Sequence, residues 1–172
     1  NERVLVLGAT NLPWAIDPAI RRRFERRVYI PLPELEARMY LLRNKLKNLD
    51  RLLSDADMRY IAEKTDGYSG SDLEVFCKDA AMEPLRFAQT TNKFRRVVDP
   101  ATKRQMFMPV EPSASGGDII TSSVYELPER SLILPELTRQ DLELALKKAK
   151  SSVSKGDLKE YESWTKQYGV AD

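Results

Sequence analysis

Histidine is absent from the 172 residues, and cysteine occurs once, as Cys77. Without histidine, neither Ser-His-Asp nor Cys-His catalysis is available, and a lone thiol builds no zinc cage of the usual kind. A single cysteine also forbids an internal disulfide, which suits a reducing compartment. Long apolar runs are missing as well. The longest, such as Val4–Leu7 and Leu132–Leu134, are far too short to cross a bilayer, and no signal-like pattern opens the sequence. Neither charge sign dominates: 28 Lys and Arg against 26 Asp and Glu leave +2, so the whole chain is no nucleic-acid or membrane-surface polycation. The seven glycines are scattered. They form neither a dinucleotide fingerprint nor a Gly-x-x-x-x-Gly-Lys-[Ser/Thr] loop, and no apolar strand ends in paired acids able to hold magnesium.

What is present divides the chain into regions. Forty-two per cent hydrophobic and 31% charged residues give a globular balance. Residues 1–33 read as strand, turn, short helix and strand. Val4–Leu7 is a continuous apolar run of the kind buried on both faces, and Val28-Tyr29-Ile30 is a second such run, stopped by Pro31 and Pro33. Asp17-Pro18 starts the helix between them. In residues 34–93 the period is helical. Leu35, Met39, Leu42 and Leu46 form one stripe, Ser54-Asp55-Ala56-Asp57 is a capping box, and Gly67 closes that helix. Ser69-Gly70-Ser71-Asp72 opens a long helix carrying Leu73, Phe76, Cys77 and Ala80 on one face, with a kink expected at Pro84. Between Phe94 and Pro135 the period turns β-like, with runs at Met106–Val110, Ile119-Ile120 and Val124-Tyr125. Helical pattern returns at Thr138, and a last helix starts at Ser154-x-x-Asp157. Two buried parallel strands at the front have too few partners for a sheet. The first 33 residues therefore read as the tail of an α/β domain.

Three constellations bear on chemistry. Five of the seven positions Arg21–Arg27 are arginine. Such a run is either a solvated helix end or an anion contact, since the planar guanidinium matches phosphate bidentately and stays charged. Asn11 follows directly on a buried strand, where it either stabilises the turn or sits at the ligand-binding end of a parallel sheet. Gly70 and Ser71 lie at a helix start, serving either plain capping or close approach of an anion. Cys77 reads as a core residue.

The order VLVLGATN (Val4–Asn11), Pro13, Asp17-Pro18-Ala19-Ile20, Arg22-Arg23-Phe24, Tyr29-Ile30-Pro31-Leu32-Pro33 and then Lys64–Leu73 resembles the second half of an AAA ATPase module of the meiotic clade. The β-like stretch, with Met106–Pro112 and Val124–Pro128, and the closing Trp164–Gly169 resemble the vacuolar-sorting branch of that clade. The resemblance implies an α/β fragment plus an α-helical small domain: an incomplete P-loop NTPase sheet (residues 1–33), then a helical lid (34–172) with a small β insertion at 99–128 and a C-terminal helix at 154–169. It gives Asn11 the sensor-1 role of orienting the attacking water. Arg22 and Arg23 become trans-acting arginine fingers, and Gly70 and Ser71 the sensor-2 region beside the nucleotide; no metal ligand falls on this chain. The intact protein would use ATP with Mg2+ as a homo-oligomeric ring, a hexamer, that disassembles ESCRT-III filaments. An activator protein would dock on the β insertion, in the cytoplasm and peripheral to endosomal membrane, with no nucleic acid. The phosphate loop would precede Asn1, so this chain is expected to bind no nucleotide and to be inactive alone, with residues 1–33 distorted, disordered or swapped between copies. A microtubule-severing ATPase, a non-enzymatic interaction module and a nucleic-acid binder stand as alternatives.

Overall fold

A computed structural model describes residues 4–49, 51–99 and 102–169. Two compact units emerge: Leu32–Ser152, and a second made of the segments Asn1–Pro31 and Val153–Asp172.

The Leu32–Ser152 unit is helical with a small sheet. Its helices are α2 (Leu35–Lys45), α3 (Asp55–Lys64), α4 (Gly70–Ala81), α5 (Glu83–Thr90) and α6 (Arg139–Lys148), numbered after α1 (Pro18–Arg23) of the other unit. Local chemistry sets their ends. Ser54, Ser69 and Thr138 each close a capping box with the aspartate three residues on, satisfying backbone donors that a helix start leaves free. Gly67, at φ 77°, takes the left-handed conformation that ends α3. The α2 stripe is real: Met39, Leu42 and Leu46 are buried and Leu35 packs against them. They meet Met58 and Ile61 of α3, Leu73, Phe76, Cys77 and Ala80 of α4, and Leu142 and Ala145 of α6 in one core.

Pro84 does not kink one long helix. The helix stops at Ala81, and Pro84 falls in the first turn of α5, where its missing N–H costs nothing. The sheet is antiparallel with order β2-β1-β3, formed by β1 (Lys93–Val98), β2 (Gln105–Pro109) and β3 (Ile119–Thr121). Phe94 of β1 stands opposite Pro109 on one side and Ile120 on the other, and is fully buried. The sheet begins at Lys93, beside Phe94 where the sequence turns β-like and ahead of residue 99, the start that the resemblance gives to the insertion; Arg95 and Arg96 interrupt the apolar pattern of this first strand. Val124–Glu126 is a 3-10 turn capped by Ser123, not a strand.

Arg38 is one of several buried polar residues of this unit, missed by apolar periodicity because it is an arginine on α2's inner face. Its Nε donates to the Ala62 carbonyl at 2.9 Å, one Nη to the Pro33 carbonyl at 2.8 Å, and the other Nη pairs with Asp66 at 3.1 Å. Arg38→Met keeps the stem but strips donors from buried carbonyls. It is expected to destabilise by about 2–3 kcal/mol, read as a lower urea midpoint.

The second unit holds α1, a 3-10 turn at Pro13–Ala15 and α7 (Lys155–Tyr168). Asp17 Oδ1 accepts from Ala19 and Ile20 N–H and so starts α1, as the sequence predicts. The aromatic side of α7 lies on the early segment. The Tyr161 hydroxyl donates to the Asn11 carbonyl at 2.6 Å, and its ring sits 5.2 Å from Trp14 and stacks on Tyr29 at 6.0 Å. Val4–Leu7 and Val28–Ile30, read from sequence as strands, belong to no ladder among the described residues. Leu5 and Leu7 are each 91% exposed and Ile30 85%. A strand needs a neighbour for its backbone groups, and no described strand of this chain lies beside either run.

The titratable groups fix the pH response. Lys45 and Lys78 hydrogen-bond Glu74 and hold its carboxyl down at about 2. Ser54 lowers Asp57 and Ser154 lowers Asp157 through the capping bonds. Burial works against the ionised form of Glu83, but hydrogen bonds from Lys148 and Arg86 outweigh it and leave the group below the usual range. Depressed carboxyls contribute stability that is present above their unfolded values and lost as pH falls through the folded ones. Burial pushes the Cys77 thiol up to about 12, so the unfolded thiol ionises first and stability declines as pH rises past about 9. With no histidine in between, the urea midpoint is expected to stay level from about pH 6 to 8 and to fall on both sides.

Candidate functional site

The short α1 places three consecutive arginines in its last turn, where cations complement the carbonyl end of a helix. The structure then sorts the cluster. Arg21 is held over the Tyr168 ring, 4.1 Å from its centroid. Arg27 is half-buried and donates from Nη1 to the Arg21 carbonyl at 3.2 Å. Its Nε is buried without a hydrogen-bond partner, as is the Trp164 indole nitrogen. Arg21 thus packs on α7 and Arg27 is tied to Arg21, while burial together with Glu162 and Tyr161 raises the Tyr29 phenol.

Arg22 and Arg23 are different. Both are exposed, and no ion pair involves either among the described residues. Arg22 makes one long contact, Nε to the Pro18 carbonyl at 3.3 Å. An exposed guanidinium with no carboxylate against it keeps its donor fork available for an anion. The sequence reading singled out this pair but missed the division of labour around it. Only the tertiary packing of Tyr168 distinguishes Arg21 from its neighbours.

Asn11 is exposed, and its backbone carbonyl is fixed by Tyr161. Just before it, Thr10 Oγ1 accepts from the Leu12 N–H at 3.0 Å, which sets the turn. Asn11, Arg22 and Arg23 therefore share one compact unit. Gly70 and Ser71 fall in the other, both exposed in the first turn of α4. Ser69 and Asp72 close the cap around them: Asp72 Oδ2 accepts from the Ser69 N–H at 2.9 Å, and Ser69 Oγ accepts from the Asp72 N–H at 3.1 Å. Beyond its chain neighbours and the backbone of its own helix, nothing lies within 4 Å of a Cβ placed at Gly70, so the space beside that position is open.

The two exposed guanidinium forks suit a polyphosphate, and the open first turn of α4 suits close approach. Among the described residues no group of three or more acidic, cysteine or histidine side chains could hold a metal ion, so Mg2+ finds no ligand set among them. No helix among them is long and apolar enough to cross a membrane. Cys77 is buried in the core and its thiol is pushed up, which leaves it unreactive.

Three family models match the chain in sequence order. The ATPase family associated with various cellular activities (AAA) matches residues 1–32, the AAA+ lid domain 55–96, and the Vps4 C terminal oligomerisation domain 107–169. Vacuolar protein sorting-associated protein 4B of Mus musculus is 37% identical over 98% of this chain and 39% of its own length. A katanin p60 ATPase-containing protein of Danio rerio is 40% identical, with 98% of this chain and 29% of the relative covered. The chain thus spans about two fifths or less of the length of these curated relatives. Among solved structures, the FIGL-1 AAA domain in complex with ADP has a TM-score of 0.68 and 30% identity, covering 97% of this chain and 46% of that one. A chain from the crystal structure of Vps4 and Vta1 has a TM-score of 0.54 and 29% identity, covering 69% of this chain and all of that one. The three matches follow one another along the chain as AAA module, AAA+ lid and Vps4 C terminal oligomerisation domain, and over 98% of its length the chain is similar to Vps4 proteins of the AAA ATPase family.

Proposed function

We propose that this chain is the carboxyl-terminal part of an ATP-hydrolysing AAA ring subunit, and that Arg22 and Arg23 act on the nucleotide held by the neighbouring subunit. The observation that carries the reading is the exposure of these two guanidinium groups, with no ion pair among the described residues, beside Arg21 and Arg27, which the fold ties down. In phosphoryl transfer, charge gathers on the transferring oxygens and on the leaving group, and a guanidinium reaching in from outside stabilises it. In this reading Asn11 orients the attacking water, and Gly70 and Ser71 line the nucleotide from the lid. The residues that hold ATP and its Mg2+ lie elsewhere in the subunit, so the isolated 172 residues are expected to turn over no ATP.

The ring disassembles ESCRT-III filaments in endosomal sorting. Support comes from the vacuolar protein sorting relatives and from the match of residues 107–169 to the Vps4 C terminal oligomerisation domain. The β insertion, placed at residues 99–128 and here including β1, is the surface we assign to an activator, in line with a similar chain crystallised with Vta1. We place the ring, a hexamer, in the cytoplasm and peripheral to endosomal membrane.

Subunit mixing tests the trans assignment. Protomers carrying Arg22→Ala and Arg23→Ala are titrated into wild-type rings and ATP hydrolysis is followed. Turnover falling more steeply than the wild-type fraction supports it. Turnover merely proportional to that fraction removes it.

A further inference from the structure

The segment joining α6 to α7 is pinned at one point of the helical unit. Ser151 Oγ donates to the Gly67 carbonyl at 2.8 Å, and the Ser152 N–H donates to Asp72 Oδ1 at 3.3 Å. The Ser152 hydroxyl also bonds the Asp72 carboxylate. The other oxygen of that carboxylate is already used: Oδ2 accepts from the N–H and the hydroxyl of Ser69, which closes the capping box of α4. One side chain therefore holds both the start of α4 and a strap 80 residues away in sequence. Burial disfavours the charged Asp72, yet the bonds from Ser69 and Ser152 overcome it and lower the group below its ordinary value. Ser152 is also the last residue of the helical unit, so the chain leaves that unit directly after the clasp.

We infer that Asp72 is a positioning residue that ties the first turn of α4, where Gly70 and Ser71 sit, to the strap at Ser151 and Ser152, so that a ligand ordering one end orders the other. The reasoning is mechanical. A carboxylate shared by two segments moves only if both give way, so each segment restrains the other through it. Anything that tightens the Gly70-Ser71 turn then tightens the strap, and loss of the strap frees the turn. The reciprocity is a thermodynamic requirement once the coupling exists. The functional side of this inference rests on the reading that Gly70 and Ser71 face nucleotide.

The test separates the clasp from that reading. Ser152→Ala removes the hydroxyl bond and Ser152→Pro removes the N–H donor; both leave Ser69 and Asp72 untouched, and Lys155→Ala on the exposed face of α7 is the control. Hydrogen exchange of the 172-residue chain then reads the α4 first turn. The amides of Asp72 and Leu73 are expected to exchange about three- to tenfold faster in Ser152→Pro, with a smaller rise in Ser152→Ala and none in the control. Unchanged exchange at those amides in Ser152→Pro overturns the inference. In assembled rings, addition of a non-hydrolysable ATP analogue is expected to slow exchange at residues 151–153 in wild type and not in Ser152→Pro. If the α4 turn responds to the strap but the strap ignores the analogue, the clasp stands and the nucleotide role of Gly70 and Ser71 falls.

Discussion

Arg23→Ala lowers ATP turnover of the assembled ring by about 10³-fold, with the ATP concentration for half-maximal rate changed by no more than about threefold. The expectation follows from where the charge is needed. The Arg23 guanidinium is exposed and has no ion pair among the described residues, so removing it strands no buried partner there and leaves the fold as it is. Under the trans role proposed above, its value appears only when a neighbour's phosphoryl group carries transition-state charge. The loss should therefore fall on kcat, while nucleotide affinity is set by residues elsewhere. Arg22→Ala follows the same pattern, although Arg22 spends one Nε contact on the Pro18 carbonyl. Arg23→Lys restores little of the rate, because an ammonium supplies charge without the planar fork. Arg21→Ala separates this account from one based on net positive charge. Arg21 lies over Tyr168, so its removal loosens the packing of α7 and should appear in thermal stability before it appears in catalysis. Equal kinetic losses at Arg21, Arg22 and Arg23 would mean that only the summed charge of α1 matters.

Phe76→Ala costs about 3–5 kcal/mol and removes most of the stability of the helical unit. Phe76 is 1% exposed on the inner face of α4 and belongs to the core shared by α2, α3, α4 and α6. Truncation deletes a whole ring from a site bounded by four helices, which cannot all close on the void without losing contacts of their own. Val75, one position away and 65% exposed, is the matched control. Its replacement by alanine should stay within about 0.5 kcal/mol. Urea titration followed by far-ultraviolet circular dichroism measures both. Comparable midpoints for the two variants would remove Phe76 from the centre of the core.

The features legible in the sequence are those decided within one turn of chain. The boxes at Ser54, Ser69 and Ser154 each need a hydroxyl and a carboxylate three residues apart, and all three form. The stripe of Met39, Leu42 and Leu46 needs only the helical period, and it is buried. Val4–Leu7 and Val28–Ile30 have strand composition too, yet strand formation depends on a neighbour that composition does not describe. Lys93–Val98 shows the reverse: two arginines break its pattern, but β2 and β3 flank it and fix it as the middle strand. At the site, sequence order pointed to Asn11, Arg22, Arg23, Gly70 and Ser71. It said nothing of Arg38 or of the bond between Ser152 and Asp72, because those partners are remote in sequence and carry no local signature.

The sequence by itself determined where the capped helices begin, which faces they bury, and that five arginines gather near one turn. Each of these is set by dihedral preference, capping or period over a few residues. Tertiary structure decided which arginines are spent on packing and which stay exposed to an anion, and which apolar runs find backbone partners. It also decided that one aspartate serves both a helix start and a distant strap. Those outcomes depend on which surfaces meet, and a guanidinium is committed only once a ring or a carbonyl from elsewhere in the chain arrives beside it.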